Sequence, residues 1–363
     1  MFENDKRIVI TLDAGGTNCV FSAMRAGKYI IEPISKKSNA HDLDLCLATM
    51  VEGFSEVIAK LDEKPVAISF AFPGPADYEH GIIGGYLPNF PSFRDGVALG
   101  PFLEDKFGIP VFINNDGDLF AYGEALGGIL PEVNSRLEAM GSEKRYKNLL
   151  GYTWGTGFGI GSVIDGRLNR GNNSCVETFC LDHKLLPGII AEEGVAARAV
   201  TRVYGELTGN MAHGLDPKGV FDVAEGTIAG DRKAAIEAFR IFGQVSGHAM
   251  ATATTLTDSL VVIGGGLTGS RKYIMPSLLE EMRSTLRTLS GETVNRVQME
   301  VFDLDNEEEF ARFARGEARP LRVYGSDRTV TYDPMKRTGV AISHLGASQA
   351  IAIGAYSFAL SSI

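Results

Sequence analysis

Two short apolar runs flank Asp13-Ala14-Gly15-Gly16-Thr17, and the rest of the chain can be interpreted from this stretch. Residues 7–12 and residues 18–24 both have the length and the apolar content of strands. The order is therefore strand, glycine turn, strand, whereas a Rossmann or Walker loop leads from a strand into a helix. Because glycine has no Cβ, such a hairpin can bring bare backbone N–H groups close to an anion. An ordinary Gly-Gly hairpin explains the stretch equally well.

Two later glycine segments also follow apolar strands. Residues 149–154 form an apolar run, residues 155–161 are rich in glycine, and a further strand-like run comes next, so the first pattern is repeated. The third segment, residues 264–270, follows the apolar run 259–263 and leads into a helical pattern over 273–289. Consecutive glycines there would let a base or a ribose lie on the main chain at a helix N-terminus. Two glycine hairpins facing each other would hold a polyphosphate from both sides.

With these segments, the chain resembles the superfamily of sugar kinases, actin and Hsp70 ATPases, and within it the ROK family of repressors, open reading frames and kinases. Three more segments carry the resemblance: residues 72–77 (Phe-Pro-Gly-Pro-Ala-Asp), 87–91 (Leu-Pro-Asn-Phe-Pro) and 113–116 (Ile-Asn-Asn-Asp). The resemblance covers nearly the whole length. It implies an ATP-dependent kinase for a hexose hydroxyl, with the 6-hydroxyl as the expected acceptor and Asp116 as the general base.

The candidate site residues come from the glycine segments and from the motif matches. The nucleotide and its phosphates are expected at Asp13, Gly15, Gly16, Thr17, Gly155, Thr156, Gly157, Gly264, Gly265 and Gly266. The sugar is expected at Gly74, Asn89, Asn115, Asp116 and Glu177. Because Mg²⁺ keeps several waters and needs only one or two carboxylates, Asp13 is expected to hold it through a bound water.

The position of Asp116 agrees with a catalytic role. It follows a buried strand and precedes a helical pattern over 119–126, so it lies at the carboxyl end of a strand, where α/β sheets bind ligands. A carboxylate there can accept the proton of a sugar hydroxyl. The alternative is that Asp116 caps the following helix, but Asp118 lies closer to the helix start and is the better candidate for that cap.

The chain departs from the ROK pattern at residues 174–183. ROK kinases usually carry a Gly-Glu-x-Gly-His sequence whose Glu and His contact the sugar, and then a cysteine-rich zinc site. Here Glu177 can replace the glutamate, but Cys180 stands in place of the histidine, which predicts a change in the preferred sugar or in how its first carbons are held. Cys175, Cys180 and His183 are the candidate zinc ligands; because paired short spacings and a fourth ligand are missing, ordinary thiols are the favoured interpretation.

The alternation of strands and helices predicts an α/β fold. The resemblance implies a two-domain actin-like ATPase (ribonuclease H-like) fold, with mixed sheets, flanking helices and an active-site cleft between the domains. The first domain is expected over 1–118 together with a returning C-terminal helix at 347–363, and the second over 119–346. Two charged segments, 131–147 and 303–338, are interpreted as insertions. For the second, which should contain a short hairpin, a dimer contact or a lid remains open beside the favoured surface insertion.

The composition indicates an enzyme of the cytoplasm. The chain has 363 residues and a formal net charge of −10, which argues against a nucleic-acid surface. No apolar run is long enough to cross a bilayer, and residue 1 leads through charged residues into the first strand without a signal-peptide pattern. Four cysteines do not make a disulfide framework in a chain of this length. The expected partners are a small sugar and, by the resemblance, a second copy in a homodimer.

Two other classes of function remain open. ROK members include repressors, which sense a sugar without catalysis and carry an added N-terminal helix-turn-helix. The first strand begins within the first ten residues and leaves no room for one. An actin- or chaperone-type ATPase shares the nucleotide site but binds a protein, and residues 72–77 and 113–116 favour the kinase over it. Glucose, mannose, fructose, an N-acetylated amino sugar or a rarer sugar all fit the sequence.

Overall fold

In the computed structural model, residues 4–74 and 76–363 are described, so Pro75 of the predicted segment 72–77 lies outside the described residues. The chain divides into two compact units. The first consists of Met1–Gly128, Gly161–Val176 and Leu345–Ile363, and the second of Ile129–Ile160 and Glu177–His344. The first unit thus extends beyond the expected boundary at residue 118 and includes a segment from the middle of the chain.

The strands and helices alternate along the chain, as the sequence predicts for an α/β fold. The strands are β1 (Val9–Ala14), β2 (Asn18–Arg25), β3 (Lys28–Tyr29), β4 (Ile34–Lys37), β5 (Ala67–Ala71), β6 (Ala76–Asp77), β7 (Ile82–Ile83), β8 (Val97–Ala98), β9 (Val111–Asn114), β10 (Leu149–Trp154), β11 (Phe158–Ile164), β12 (Arg167–Leu168), β13 (Leu260–Gly264), β14 (Thr285–Arg287), β15 (Thr293–Asn295), β16 (Glu300–Asp303), β17 (Arg319–Arg322), β18 (Thr329–Tyr332) and β19 (Arg337–Ile342). The α-helices are α1 (Leu43–Ala59), α2 (Leu99–Phe107), α3 (Asp116–Gly127), α4 (Ile129–Ala139), α5 (Ala197–Thr208), α6 (Pro217–Glu225), α7 (Arg232–Thr257), α8 (Arg271–Met282), α9 (Glu307–Arg315) and α10 (Ala347–Ser362).

The sheet of the first unit has the order β3-β2-β1-β5-β9, with β4 paired to β2. Strands β1 and β2 are antiparallel, whereas β1, β5 and β9 run parallel. Successive side chains of a strand point to opposite faces. Ile10 therefore packs in a core with Phe21 and with Phe54 of α1, while Val9 packs with Tyr356 of α10 on the other face. The C-terminal helix α10 thus belongs to the core of the first unit.

In the second unit, β10, β13, β19 and β16 lie side by side in that order and run parallel. Their buried faces and the long helix α7 form one core, in which Trp154 makes an edge contact with Phe242 at 5.3 Å between ring centroids. Near-continuous apolar runs such as Leu260–Gly264 are typical of parallel strands that are buried on both faces.

Three predicted segments can be compared with the structure. The hairpin expected within 303–338 is confirmed as β17 paired with β18. The helical pattern over 273–289 is too long, because α8 ends at Met282 and β14 follows it. The segment 131–147 is not without a pattern, since it contains most of α4 and buries Val133 and Leu137 of that helix at helical spacing. None of the described helices combines the length and apolar content that crossing a bilayer requires.

Candidate active site

The site of the first unit forms where three parallel strands end together. Asp13 of β1 lies opposite Ala71 of β5, and Ala71 lies opposite Asn114 of β9. The backbone N–H of Phe72 donates to the carbonyl oxygen of Asn114 at 3.0 Å, which extends the pairing by one step. Because the carboxyl ends of these strands share one edge of the sheet, Asp13 and the turn before Asp116 come to the same place.

A cavity of about 330 Å³ opens at this edge of the sheet. The candidate residues that line it are Asp13, Gly15, Gly16, Asn89 and Asp116. Further walls come from β2, from residues 71–73 and from α10. A volume of this size lies in the range of small-molecule sites, about 300–1,000 Å³. The first glycine hairpin, the Asn89 loop and the candidate base therefore meet in one cavity.

Three other candidate residues lie beside this cavity without lining it, namely Thr17, Gly74 and Asn115. The carbonyl oxygen of Thr17 accepts a hydrogen bond from the backbone of Ser38 at 3.0 Å. Gly74 lies in a turn next to Tyr78, whose hydroxyl donates to the carbonyl oxygen of Phe72 at 2.8 Å. These residues support the walls of the cavity in the structure.

Gly16 allows the hairpin to approach the Asn89 loop closely. A Cβ placed on Gly16 would lie 3.1 Å from both the Cβ and the carbonyl oxygen of Asn89. The hairpin itself is closed by a hydrogen bond from the Gly15 N–H to the carbonyl oxygen of Asn18 at 3.0 Å. The glycines thus allow the predicted phosphate hairpin and the predicted sugar loop to touch.

The helix α3 begins at Asp116, two residues before Asp118. Its N-cap is Asn115, which has an extended backbone and whose side chain accepts from the N–H of Gly117 at 2.8 Å. Asp116 Oδ1 accepts from the same N–H at 2.9 Å. The prediction that Asp118 is the cap is therefore wrong: Asp118 lies inside the first turn and is only 6% exposed. An asparagine with an extended backbone is as good a cap as aspartate, so the helix starts earlier than its apolar pattern does.

The electrostatics of Asp116 suit a base. The residue is exposed to the cavity, but the protein surrounding its carboxyl group raises its pKa above the ordinary value of an aspartate. The hydrogen bond from Gly117 opposes this shift, and the nearby charge of Asp13 reinforces it. A carboxylate whose pKa is raised is a stronger base toward a hydroxyl proton.

Asp118 and Arg170 are two charged neighbours that the sequence analysis did not identify. Burial raises the pKa of Asp118 to about 7; Arg170 opposes this shift and Asp116 adds to it. Arg170 follows β12, and its Nη1 donates to Asn114 Oδ1 at 3.0 Å. The Asp-Gly-Asp spacing at 116–118 is a visible signal for Asp118, whereas Arg170 comes from a distant turn that has no pattern of its own.

In the second unit, the second and third glycine segments lie next to each other. The parallel register of β10 and β13 sets Thr153 beside Gly264. Gly265 has a φ of +99°, and a Cβ on it would overlap the carbonyl oxygen of Trp154, so only glycine fits there. Cβ atoms on Gly155 and Gly266 would meet no described atom within 4 Å. Bare backbone is therefore open to a ligand at both segments.

The turn at 155–157 is held by two charged side chains that the sequence analysis did not predict as site residues. Glu192 Oε2 accepts from the N–H of Phe158 at 3.0 Å. Arg198 forms ion pairs with Glu192 at 2.9 Å and with Glu193 at 2.8 Å, and its Nη1 donates to the carbonyl oxygen of Thr156 at 3.3 Å. The charges around this turn are thus already paired with one another.

The candidate zinc ligands have separate surroundings in the structure. His183 is 5% exposed, and its Nδ1 accepts from the N–H of Leu185 at 3.1 Å. The thiol of Cys175 donates to the carbonyl oxygen of Asn173, Cys180 is exposed, and Glu177 is half-buried. Among residues 4–74 and 76–363, no three His, Cys, Asp or Glu side chains are grouped as metal ligands would be.

Comparisons with known proteins identify the family and the fold to which the chain is similar. A family model described as the ROK family matches residues 9–306. The crystal structure of a glucokinase from Parabacteroides distasonis is 58% identical, covers 100% of both chains and has a TM-score of 0.92. An N-acetyl-D-glucosamine kinase from Vibrio parahaemolyticus is 25% identical over 70% of this chain and 83% of its own. A xylose repressor from Bacillus spizizenii is 29% identical over 34% of this chain, and the match spans only 28% of the repressor. These similarities confirm the expected actin-like ATPase fold.

Proposed function

Since the chain belongs to the ROK family, we propose that it is a sugar kinase that transfers the γ-phosphoryl group of ATP to a hexose hydroxyl, with the 6-hydroxyl as the expected acceptor. The observation that carries this proposal is the single cavity that brings Asp116 together with Asp13 and the Gly15–Gly16 turn. The glucokinase that is 58% identical over its whole length supports a sugar as the acceptor.

Asp116 is the proposed general base. Its carboxylate accepts the proton of the sugar hydroxyl while that oxygen attacks the γ-phosphorus, and the bond to the β–γ bridging oxygen breaks. The hydrogen bond between Asp116 Oδ1 and the N–H of Gly117 fixes one oxygen of the carboxylate, which leaves the other oxygen for the hydroxyl. The raised pKa of Asp116 increases its strength as a base.

The two glycine regions are proposed to bind different parts of ATP. At Gly15, Gly16 and Thr17, backbone N–H groups and a hydroxyl would bind the transferred phosphate. At Gly155 and Gly266, open backbone would take the remaining phosphates and the nucleoside. Mg²⁺, when bound, neutralises phosphate charge, and Asp13 would hold it through a water.

The sugar is proposed to lie between the Asn89 loop and the start of α3. Asn89 lines the cavity and offers both a donor and an acceptor. The oxygen of the Asn115 side chain is used to cap α3, so the NH₂ group is the part that would donate to a sugar hydroxyl. Gly74 would border the sugar from the side, and Glu177 is proposed to reach the sugar as the corresponding glutamate does in ROK kinases.

A panel of sugars tests the proposal. Each of glucose, mannose, fructose, N-acetylglucosamine and N-acetylmannosamine is incubated with ATP, Mg²⁺ and the chain, and ADP release is followed by a coupled assay. The expected result is release that depends on at least one sugar, with a 6-phosphate ester identified by phosphorus NMR. ADP release that no sugar stimulates would contradict the proposal and favour the ATPase class.

The match to the xylose repressor makes a sugar sensor the second candidate. A sensor would bind a sugar without phosphorylating it. Thermal shift measurements with the same panel distinguish the two functions. A sugar that raises the melting temperature, but releases no ADP and leaves phosphate unesterified, would identify the chain as a sensor; turnover of the stabilising sugar would identify it as a kinase.

A further inference from the structure

Arg170 contacts the end of β9, two residues before Asp116. It lies in the turn after β12, far from Asp116 in sequence, and its Nη1 donates to Asn114 Oδ1 at 3.0 Å. Asn114 is the last residue of β9 and is separated from Asp116 only by the N-cap residue. A displacement of the Asn114 side chain would therefore be transmitted directly to the start of α3.

The buried side chain of Asn114 depends on Arg170 for its hydrogen bonding. The residue is completely buried, at 0% exposure, and its side-chain nitrogen has no hydrogen-bond partner among the described residues. Its side-chain oxygen is satisfied by Arg170, and its backbone oxygen by the N–H of Phe72. Without Arg170, both polar atoms of a buried amide would lack partners, which favours a rearrangement of the strand end.

The guanidinium group of Arg170 is itself held in place. It lies 5.3 Å from the ring centroid of Phe358 on α10, within the range of a cation–π contact. The same ring makes edge contacts with Phe112 of β9 at 5.9 Å and with Tyr122 of α3 at 6.2 Å. Arg170 thus lies where β9, α3 and α10 meet. Strand β9 ends two residues before Asp116, and α3 begins at Asp116.

Arg170 also acts on the second carboxylate of this turn, Asp118. The charged groups that act on Asp118 are Arg170, which lowers its pKa, and Asp116 of its own helix, which raises it. Helix α10, which packs along α3, contains no Asp, Glu, Lys, Arg or His. The guanidinium is therefore a positive charge that offsets the carboxylate of Asp118, the neighbour of Asp116 at the start of α3.

We infer that Arg170 is a positioning residue for Asp116: it fixes the end of β9 through Asn114, and it balances the negative charge of Asp118 beside the base. The inference rests on the proposed kinase function. Arg170 does not touch the reacting atoms in this account. It keeps the base in the place and in the charge environment that phosphoryl transfer requires.

Three variants test the inference. Arg170→Met keeps the apolar stem against Phe358 but removes the donor and the charge; Arg170→Lys restores the charge without the planar fork. Arg167→Met is the matched control, because Arg167 is an exposed arginine on the same hairpin. We expect Arg170→Met to lower kcat by about 100-fold, the effect of misplacing a catalytic group by about 1 Å, with the KM for ATP unchanged. Arg170→Lys should recover part of the loss, and Arg167→Met should behave as the wild type.

The pH dependence of kcat/KM separates positioning from a merely structural role. In the wild type, ionisation of Asp118 should add an inflection near its pKa of about 7. Arg170→Met should move this inflection to higher pH, because Arg170 lowers the pKa of Asp118, and Arg170→Lys should leave it nearly in place. A wild type that is active, together with an Arg170→Met variant whose kcat or whose inflection is unchanged, would overturn the inference and leave the kinase function intact. A wild type that phosphorylates no sugar would overturn the kinase function itself.

Discussion

The two strand–glycine–strand turns have nearly the same sequence pattern but different chemical surroundings. The turn at residues 13–17 includes Asp13 and shares a cavity with Asp116, whose pKa the charge of Asp13 helps to raise. The turn at 155–157 is surrounded by Glu192, Glu193 and Arg198, whose charges are already paired. A glycine turn thus supplies only open backbone, and the neighbouring side chains determine whether a reaction can take place there.

Asp116→Asn tests most directly whether the carboxylate beside the turn at 13–17 makes that turn the place of reaction. The variant should lose about 10²–10⁴-fold in kcat, because it keeps the shape of the carboxylate and removes the base. Calorimetry should show that sugar and ATP still bind. Asp105→Asn, on the exposed face of α2, is the matched control and should keep full activity. Turnover near the wild-type rate in Asp116→Asn would remove the chemical distinction between the two turns.

The pH profile of the wild type tests the role of Asp116 as the base in a second way. Because the folded pKa of Asp116 is raised, kcat/KM should begin to fall with decreasing pH at a higher pH than the value of about 3.9 of an ordinary aspartate would give. The expected acid limb belongs to the protonation of Asp116 and should be absent from the residual activity of Asp116→Asn. An acid limb that persists in that variant would assign it to another group.

Asp118→Asn tests whether the buried carboxylate next to Asp116 lowers the stability of the fold. A carboxyl group whose folded pKa is about 7 holds its proton more tightly in the folded than in the unfolded chain. The unfolding free energy should therefore fall as pH rises from about 4 to about 7, by up to about 4 kcal/mol at 1.36 kcal/mol per unit. In Asp118→Asn this decrease should disappear, so the variant should be more stable than the wild type at pH 8 but not at pH 4. Urea unfolding of both proteins at pH 4 and at pH 8 measures this difference in stability.

Gly265→Ala and Gly266→Ala test two separate roles of the third glycine segment: the fit of its backbone against Trp154 and the access of ATP to its backbone. Alanine at 265 would overlap the carbonyl oxygen of Trp154 at a φ of +99°, and it should cost about 1–3 kcal/mol of unfolding free energy. Alanine at 266 meets no described atom within 4 Å, so stability should be kept, but a methyl group would stand where ATP is proposed to lie. Unchanged ATP affinity in Gly266→Ala would show that the nucleotide binds elsewhere.

Glu192→Gln should have the smallest effect. Glutamine still accepts from the N–H of Phe158, and only the ion pair with the half-exposed Arg198 is lost. Such pairs contribute about 0–1 kcal/mol, so the change in unfolding free energy should stay within that range. Glu192→Ala, which also removes the acceptor, is the comparison variant and should destabilise more. Equal effects of the two substitutions would mean that the hydrogen bond to Phe158 does not hold the turn.

The sequence predicts those features of the fold that local patterns encode. Apolar runs bounded by glycine identify β1, β10 and β13, and the hairpin of β17 and β18 is visible from its alternating residues. Helix boundaries are less well predicted, because caps and tertiary packing set them. The asparagine cap starts α3 before its apolar pattern, and β14 ends the pattern that would extend α8.

The candidate site is predictable only in part for a similar reason. Asp13 and Asp116 follow buried strands, so their place at the sheet edge can be anticipated from the order of the strands. Arg170 follows β12, Glu192 lies just before α5, and Arg198 lies in the first turn of α5. Only the folded chain brings Arg170 to the end of β9 and the other two to the turn at 155–157. Residues whose role depends on distant neighbours leave no periodicity in the sequence.

Helix α10 has a consequence for the synthesis of the protein. The hydroxyl of Tyr356 donates to the carbonyl oxygen of Arg7, across 349 positions of the chain. At a translation rate of about 5–20 residues per second, β1 waits roughly 20–70 s on the ribosome before this helix is made. During that interval the face of the sheet with Val9 and Met24 stays uncovered. The part of the protein that is synthesised first is therefore among the last to be completed, and it is the part that chaperones would protect.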